Sequence, residues 1–199
     1  RKMDSNCDET CIEIDNNFSE SNYFTHGIPA MQVTLLHEYF HTIQLDYRCN
    51  FGMNSYFYEL TSTWIEDVGF PDVDDYLSFM TESTQSSNYY KNPELDFEDT
   101  NGYSVAWFGH FLSTQYGNIE GITHLDELES ITMKKIWERI GSTGSSALNV
   151  IDYILGYEYN SSFIEAWVEF NSRNLFYNCN FLCYYIIFCQ ELNNINSTI

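Results

Sequence analysis

Between Ala30 and Asp46 the apolar residues Val33, Leu36, Phe40 and Ile43 recur every three or four positions, the spacing of one face of an α-helix. The same stretch contains His37-Glu38-Tyr39-Phe40-His41, two histidines four apart with a glutamate beside the first. On a helix, positions i and i+4 lie one turn apart on one face, so both imidazoles can reach a single point. With five histidines and 17 glutamates in 199 residues, chance supplies about 0.01 such matches in the chain. The bland alternative, a surface helix with two incidental histidines, loses weight because Leu35, Leu36 and Phe40 surround the motif.

The rest of the chain reads as helical too. Tyr56–Val68 fits a second helix, broken by Gly69, Pro71 and the aspartates around them, and an acidic, Ser/Asn-rich stretch with short elements runs to about Asn101. A third helix fits Tyr103–Tyr116 and stops at Gly117, a residue suited to the position after a helix. Ser130 is placed to cap a helix ending at Gly141, and Ser145–Leu155 fits another ending at Gly156. Ser162 and Glu165 form a capping box that opens a last helix reaching about Asn174. Strand-like alternation is confined to Cys11-Ile12-Glu13-Ile14-Asp15. The expected fold class is mostly α with a small β part, in one domain over residues 1–175. Residues 176–199 form an apolar tail rich in Cys and Tyr, the expected start of a further strand region.

Charge narrows the partners. Eight Lys plus Arg against 29 Asp plus Glu leave a formal net charge of −21. Nucleic acid and anionic membrane surfaces both demand cationic patches and are excluded as expected partners. Hydrophobic residues at 44% and aromatics at 18% supply enough surface to bury that the acidity belongs to the exterior of a folded protein, not to a disordered one. No apolar run approaches the roughly 18 residues that span a bilayer, so no membrane insertion is expected. The longest run, Phe181–Cys189, reads as a buried strand or core segment that wants neighbours, a hint that more protein followed or that the tail is poorly ordered. Six cysteines, at 7, 11, 49, 179, 183 and 189, suit one or two disulfides in an oxidising compartment better than a zinc knot. Sequons at Asn17, Asn160 and Asn196 agree with that lean towards a secreted or extracellular protein, although no signal peptide is visible.

A catalytic zinc takes three protein ligands and keeps one position open. Residues 42–47 hold no third histidine, so the third ligand is expected to be a carboxylate from another element. In the second helix Phe57, Leu60, Trp64 and Val68 share one face, while Glu59, Ser62, Thr63 and Glu66 share the opposite one. Burying the aromatic face turns the polar stripe towards a neighbouring helix. Seven residues, about 10.5 Å of helix rise, separate Glu59 from Glu66, so only one of them can be the ligand.

Three segments together resemble the gluzincin metallopeptidases: His37-Glu-Tyr-Phe-His-Thr-Ile-Gln44, then Tyr58-Glu-Leu-Thr-Ser-Thr-Trp-Ile-Glu-Asp67, then Asp74-Asp-Tyr76. The pattern is most similar to secreted members with H-E-[FY]-F-H-x-x-Q followed by E-x-x-[AS]-x-W-x-E-D. It extends over about residues 31–175. The resemblance implies a zincin-like core with a dominant helical lobe and an N-terminal sheet that is truncated here. It also implies one Zn2+ on His37, His41 and Glu59, with Glu66 and Asp67 in supporting roles and a peptide or protein as substrate. Thr63 stands where thermolysin-like enzymes carry an acidic residue four after the ligand, which leaves the partner of the zinc histidines unassigned.

The expected chemistry is peptide hydrolysis with Glu38 as general base. Tyr103, Trp107 and His110 fall at i, i+4 and i+7 of the third helix. By the same resemblance Tyr103 is the first candidate to hold the oxyanion and His110 the second, against the alternative of an aromatic face packed in the core. His26 and His124 lie in loops and read as incidental. Two rivals stand beside the peptidase: a non-catalytic zinc-binding or surface-interaction domain with the same fold, and a purely structural helical domain without stoichiometric metal. The acidity weakly favours basic or neutral peptides as substrates.

Overall fold

The helix expected over 30–46 runs over Gly27–Tyr47 and is labelled α1. The computed structural model describes residues 2–3, 10–19, 23–49, 52–81, 86–117 and 125–176. The tail with Phe181–Cys189, the cysteines at 7, 179, 183 and 189, and His124 lie outside the described residues. Among the described residues six further helices follow: α2 (Ser55–Gly69), α3 (Asp75–Thr81), α4 (Ala106–Tyr116), α5 (Leu125–Thr143), α6 (Ala147–Tyr159) and α7 (Phe163–Phe176). Short 3-10 turns at Gly52–Asn54, Phe97–Asp99 and Tyr103–Val105 precede or join them. The fold is mainly α, and among the described residues no helix is long and apolar enough to cross a membrane.

Of the small β part expected at Cys11–Asp15, only Cys11 lies in a strand. Among the described residues, ladder pairing is limited to β1 (Lys2–Met3) against β2 (Thr10–Cys11), antiparallel and two residues long. From Asp15 onward the chain turns instead. Asp15 Oδ1 accepts from the Asn17 and Phe18 amides at 2.7 and 2.9 Å, and this local turn chemistry competes with pairing. Cys49, just past α1, is disulfide-bonded.

Helix α2 is the centre of the molecule. Its Phe57, Leu60 and Trp64 are buried on one side, and Thr61, Ser62, Thr63 and Glu66 are buried as well. The expected division into an aromatic face and a polar stripe is present, and both sides are covered. α2 packs chiefly on α1 and also on α4. α5 closes the aromatic side: Trp137 stacks edge-on to Tyr58, with ring centroids 4.8 Å apart, and lies 5.4 Å from Phe57. A second aromatic cluster, with Phe97, Phe108, Phe163, Trp167 and Phe170 in mutual ring contact, joins α4 to α7. Offset and edge-to-face rings of this kind contribute about 0.5–1.5 kcal/mol per pair beyond the area they bury.

The helix ends show where local rules held and where packing displaced them. Ser162 accepts from the Glu165 amide at 3.2 Å and its hydroxyl donates to the Glu165 carboxylate, so the expected Ser162 cap opens α7. Ser146 caps α6 through the Asn149 amide. Two expected boundaries move. α5 begins at Leu125, so Ser130 lies within the helix and not at its start. α6 runs past Gly156 and ends at Asn160 in the left-handed conformation, with the Ser161 amide bonded to the Leu155 carbonyl at 3.1 Å. The third helix also starts late, because Tyr103–Val105 forms a 3-10 turn before α4.

Candidate metal centre

Helix α1 buries His37 and His41 against α2, with 7% and 4% of their surface exposed. Their rings meet edge to face, with centroids 4.7 Å apart. From α2, Glu59 Oε2 reaches to 3.3 Å from His37 Nε2 and 3.6 Å from His41 Nε2. One donor atom from each of the three residues lies within 4.8 Å of the other two. An ion with tetrahedral bonds of about 2.0–2.2 Å sets its ligand atoms roughly 3.3–3.6 Å apart. The two nitrogen-to-carboxylate separations match that edge length, and two imidazoles with one carboxylate are a donor set suited to zinc.

Glu66 sits on the other nitrogen of the same ring. Its Oε1 lies 2.5 Å from His37 Nδ1 and the residue is buried. The two α2 glutamates thus divide their roles by position: Glu59 faces Nε2, the nitrogen turned to the cluster, and Glu66 faces Nδ1. An acidic partner for a candidate ligand histidine therefore exists despite Thr63, supplied one further turn along the helix. A carboxylate on the far nitrogen orients an imidazole and raises its basicity as a ligand.

Electrostatics follow from this crowding. Burial lowers the tendency of His37 to carry charge, but the Glu59 and Glu66 carboxylates outweigh it and push its pKa up to about 9. Burial works against ionised Glu59 too. There its contacts with His37, His41 and Tyr103 prevail and hold its carboxyl well below the usual range. Glu66 moves up, because burial exceeds what His37 returns.

Tyr103 reaches the same cluster from the turn before α4. Its ring lies parallel to that of His37, with centroids 5.8 Å apart and planes within 4°. Burial first, then the charge of Glu59 and its hydrogen bond, and then Glu66 and Glu38, hold the Tyr103 hydroxyl above the usual tyrosine range. The hydroxyl is therefore a donor at neutral pH. His110 is placed elsewhere: its Nε2 is 3.2 Å from Asp67 Oδ2 and its ring lies beside Trp64. Glu38, half-buried, follows His37 directly on α1. His26 is exposed, with its Nδ1 3.3 Å from the Phe18 carbonyl oxygen.

Gln44 carries no role in the sequence reading, yet its side-chain oxygen is 2.7 Å from His41 Nδ1. Ser62 Oγ lies 3.1 Å from the same nitrogen. The available signal was helical spacing, since Gln44 falls at i+3 from His41 and i+7 from His37 on α1. In comparisons with known proteins, no family model, curated protein or solved structure matches the chain.

Proposed function

We propose that this chain is a zinc-dependent endopeptidase of the gluzincin type, with one ion held by His37, His41 and Glu59. The observation that carries the reading is the approach of Glu59 Oε2 to the Nε2 atoms of both histidines, at 3.3 and 3.6 Å, with a glutamate next to the first histidine in the chain. When bound, zinc supplies Lewis acidity, which lowers the pKa of a water to about 7 and polarises a scissile carbonyl. Glu38 takes the proton from the attacking water and returns it to the leaving amine. Tyr103, protonated and stacked against His37, donates to the oxyanion. Glu66 holds the His37 ring in place through Nδ1.

The test combines metal analysis of the purified protein with a broad peptide library. One zinc per chain with cleavage that chelation stops is the expected result. One zinc per chain without cleavage of any peptide points to a binding domain and sinks the peptidase reading. Absence of stoichiometric metal sinks both.

A further inference from the structure

We propose that Gln44 is the positioning residue of His41, holding its imidazole as the Nδ1–H tautomer so that the Nε2 lone pair faces His37 and Glu59; this rests on the metal reading above. Gln44 is completely buried. Its carboxamide meets four groups. The nitrogen lies 3.0 Å from the Tyr58 carbonyl, 2.9 Å from Thr61 Oγ1 and 3.1 Å from Ser62 Oγ, and the oxygen lies 2.7 Å from His41 Nδ1.

These partners fix the orientation of the amide. A backbone carbonyl only accepts, so the end of the amide facing Tyr58 must be the NH2. The opposite end is then the carbonyl oxygen, which also only accepts. His41 Nδ1 must therefore donate to it, and in the neutral ring the lone pair falls to Nε2. That is the nitrogen 3.6 Å from Glu59 Oε2. Ser62 Oγ, at 3.1 Å from Nδ1, can share the same proton as a second acceptor.

The amide is itself held by the core. Thr61 Oγ1 donates to the Phe57 carbonyl at 2.9 Å and accepts from Trp137 Nε1 at 3.3 Å. Gln44 thus connects a histidine on α1 to the centre of α2 and to the α5 aromatic wall. His37 is oriented by a carboxylate and His41 by a neutral amide, so the second histidine is fixed without adding a further negative charge to an acidic cluster.

Two substitutions separate positioning from support. Gln44→Leu removes the acceptor and the donors together. Gln44→Glu keeps an acceptor towards His41 but loses donors to the core. Cobalt(II) serves as a coloured probe of the site. Both variants should melt below the wild type. The Leu variant should bind cobalt about 10–100-fold more weakly and with an altered visible spectrum. The Glu variant should keep an affinity and spectrum close to those of the wild type. In metal-free protein, long-range 1H–15N spectra should place the His41 proton on Nδ1, which can be read even where a variant does not fold. A wild-type proton on Nε2 overturns the proposal, as does an equal loss of cobalt binding in both variants. A Leu variant that binds as tightly as wild type overturns this proposal alone. A wild type that takes no cobalt overturns the metal reading and this proposal with it.

Discussion

Glu66 Oε1 lies 2.5 Å from His37 Nδ1, while Glu59 Oε2 lies 3.3 Å from Nε2 of the same ring. Two carboxylates seven residues apart on one helix thereby grip opposite nitrogens of one histidine on another. The arrangement assigns them different tasks, and those tasks predict different consequences of losing each.

Glu59→Ala should remove stoichiometric zinc, because it takes away one of the three proposed ligands. Glu66→Leu should keep the ligand set and weaken metal binding by about 10–100-fold, the usual cost of losing the partner that orients a ligand histidine. Competition titration with a zinc chelator measures both. The reverse order would mean that Glu66, not Glu59, is the ligand.

Glu38→Gln should lower peptide turnover by about 10²–10⁴-fold with the zinc content unchanged, since an amide cannot take the proton of the attacking water. Steady-state kinetics beside metal analysis would read both quantities, and turnover equal to wild type would remove Glu38 as the base.

Tyr103→Phe keeps the ring that stacks on His37 and removes only the hydroxyl. Loss of one oxyanion donor lowers kcat by about 10²–10³-fold. The expected signature is a fall in kcat with KM and bound zinc little changed. A variant as fast as wild type would return the oxyanion role to His110 or to no side chain.

Zinc should stabilise the fold by mass action. At a free concentration 100-fold above Kd the added stability is about 2.7 kcal/mol, seen as a raised Tm that a chelator reverses. The His37→Ala, His41→Ala double variant should show no such shift in calorimetry.

Gly102 tests how Glu59 and Tyr103 are brought together. Its φ is +81°, and a Cβ there would lie 2.2 Å from the Tyr56 carbonyl oxygen and 2.7 Å from Glu59 Cβ. Gly27 has φ +66° with nothing within 4 Å of its Cβ position. Gly27→Ala should therefore cost about 1–2 kcal/mol for the left-handed backbone alone. Gly102→Ala should cost more in denaturant unfolding and weaken zinc binding as well. Equal costs would mean that the close approach at Gly102 relaxes freely.

Much of this was legible in the chain because it is local. Helical spacing located α1 and α2, set His37 and His41 one turn apart, and separated the aromatic and polar faces of α2. The Ser162 cap needed only four consecutive residues. Boundaries were less legible: α5 begins before Ser130 and α6 runs through Gly156. A cap or a glycine costs about 1 kcal/mol, which packing against neighbouring helices can outweigh. The alternation at Cys11–Asp15 carries only Cys11 into a ladder, because a strand needs a partner that no local pattern guarantees.

What the sequence by itself determined is the set of donors and their spacing: two imidazoles and a general-base candidate on one helix, with two glutamates on the next. Which glutamate meets which nitrogen was beyond it. That choice depends on how α1 crosses α2, a matter of ridge-and-groove packing between side chains far apart in the chain. The same contact carries Gln44 from its place on α1 to the carbonyl of Tyr58 and the hydroxyls of Thr61 and Ser62. Spacing on a helix brings His37 and His41 to one point, and only the tertiary packing of α2 against them decides what holds each ring there.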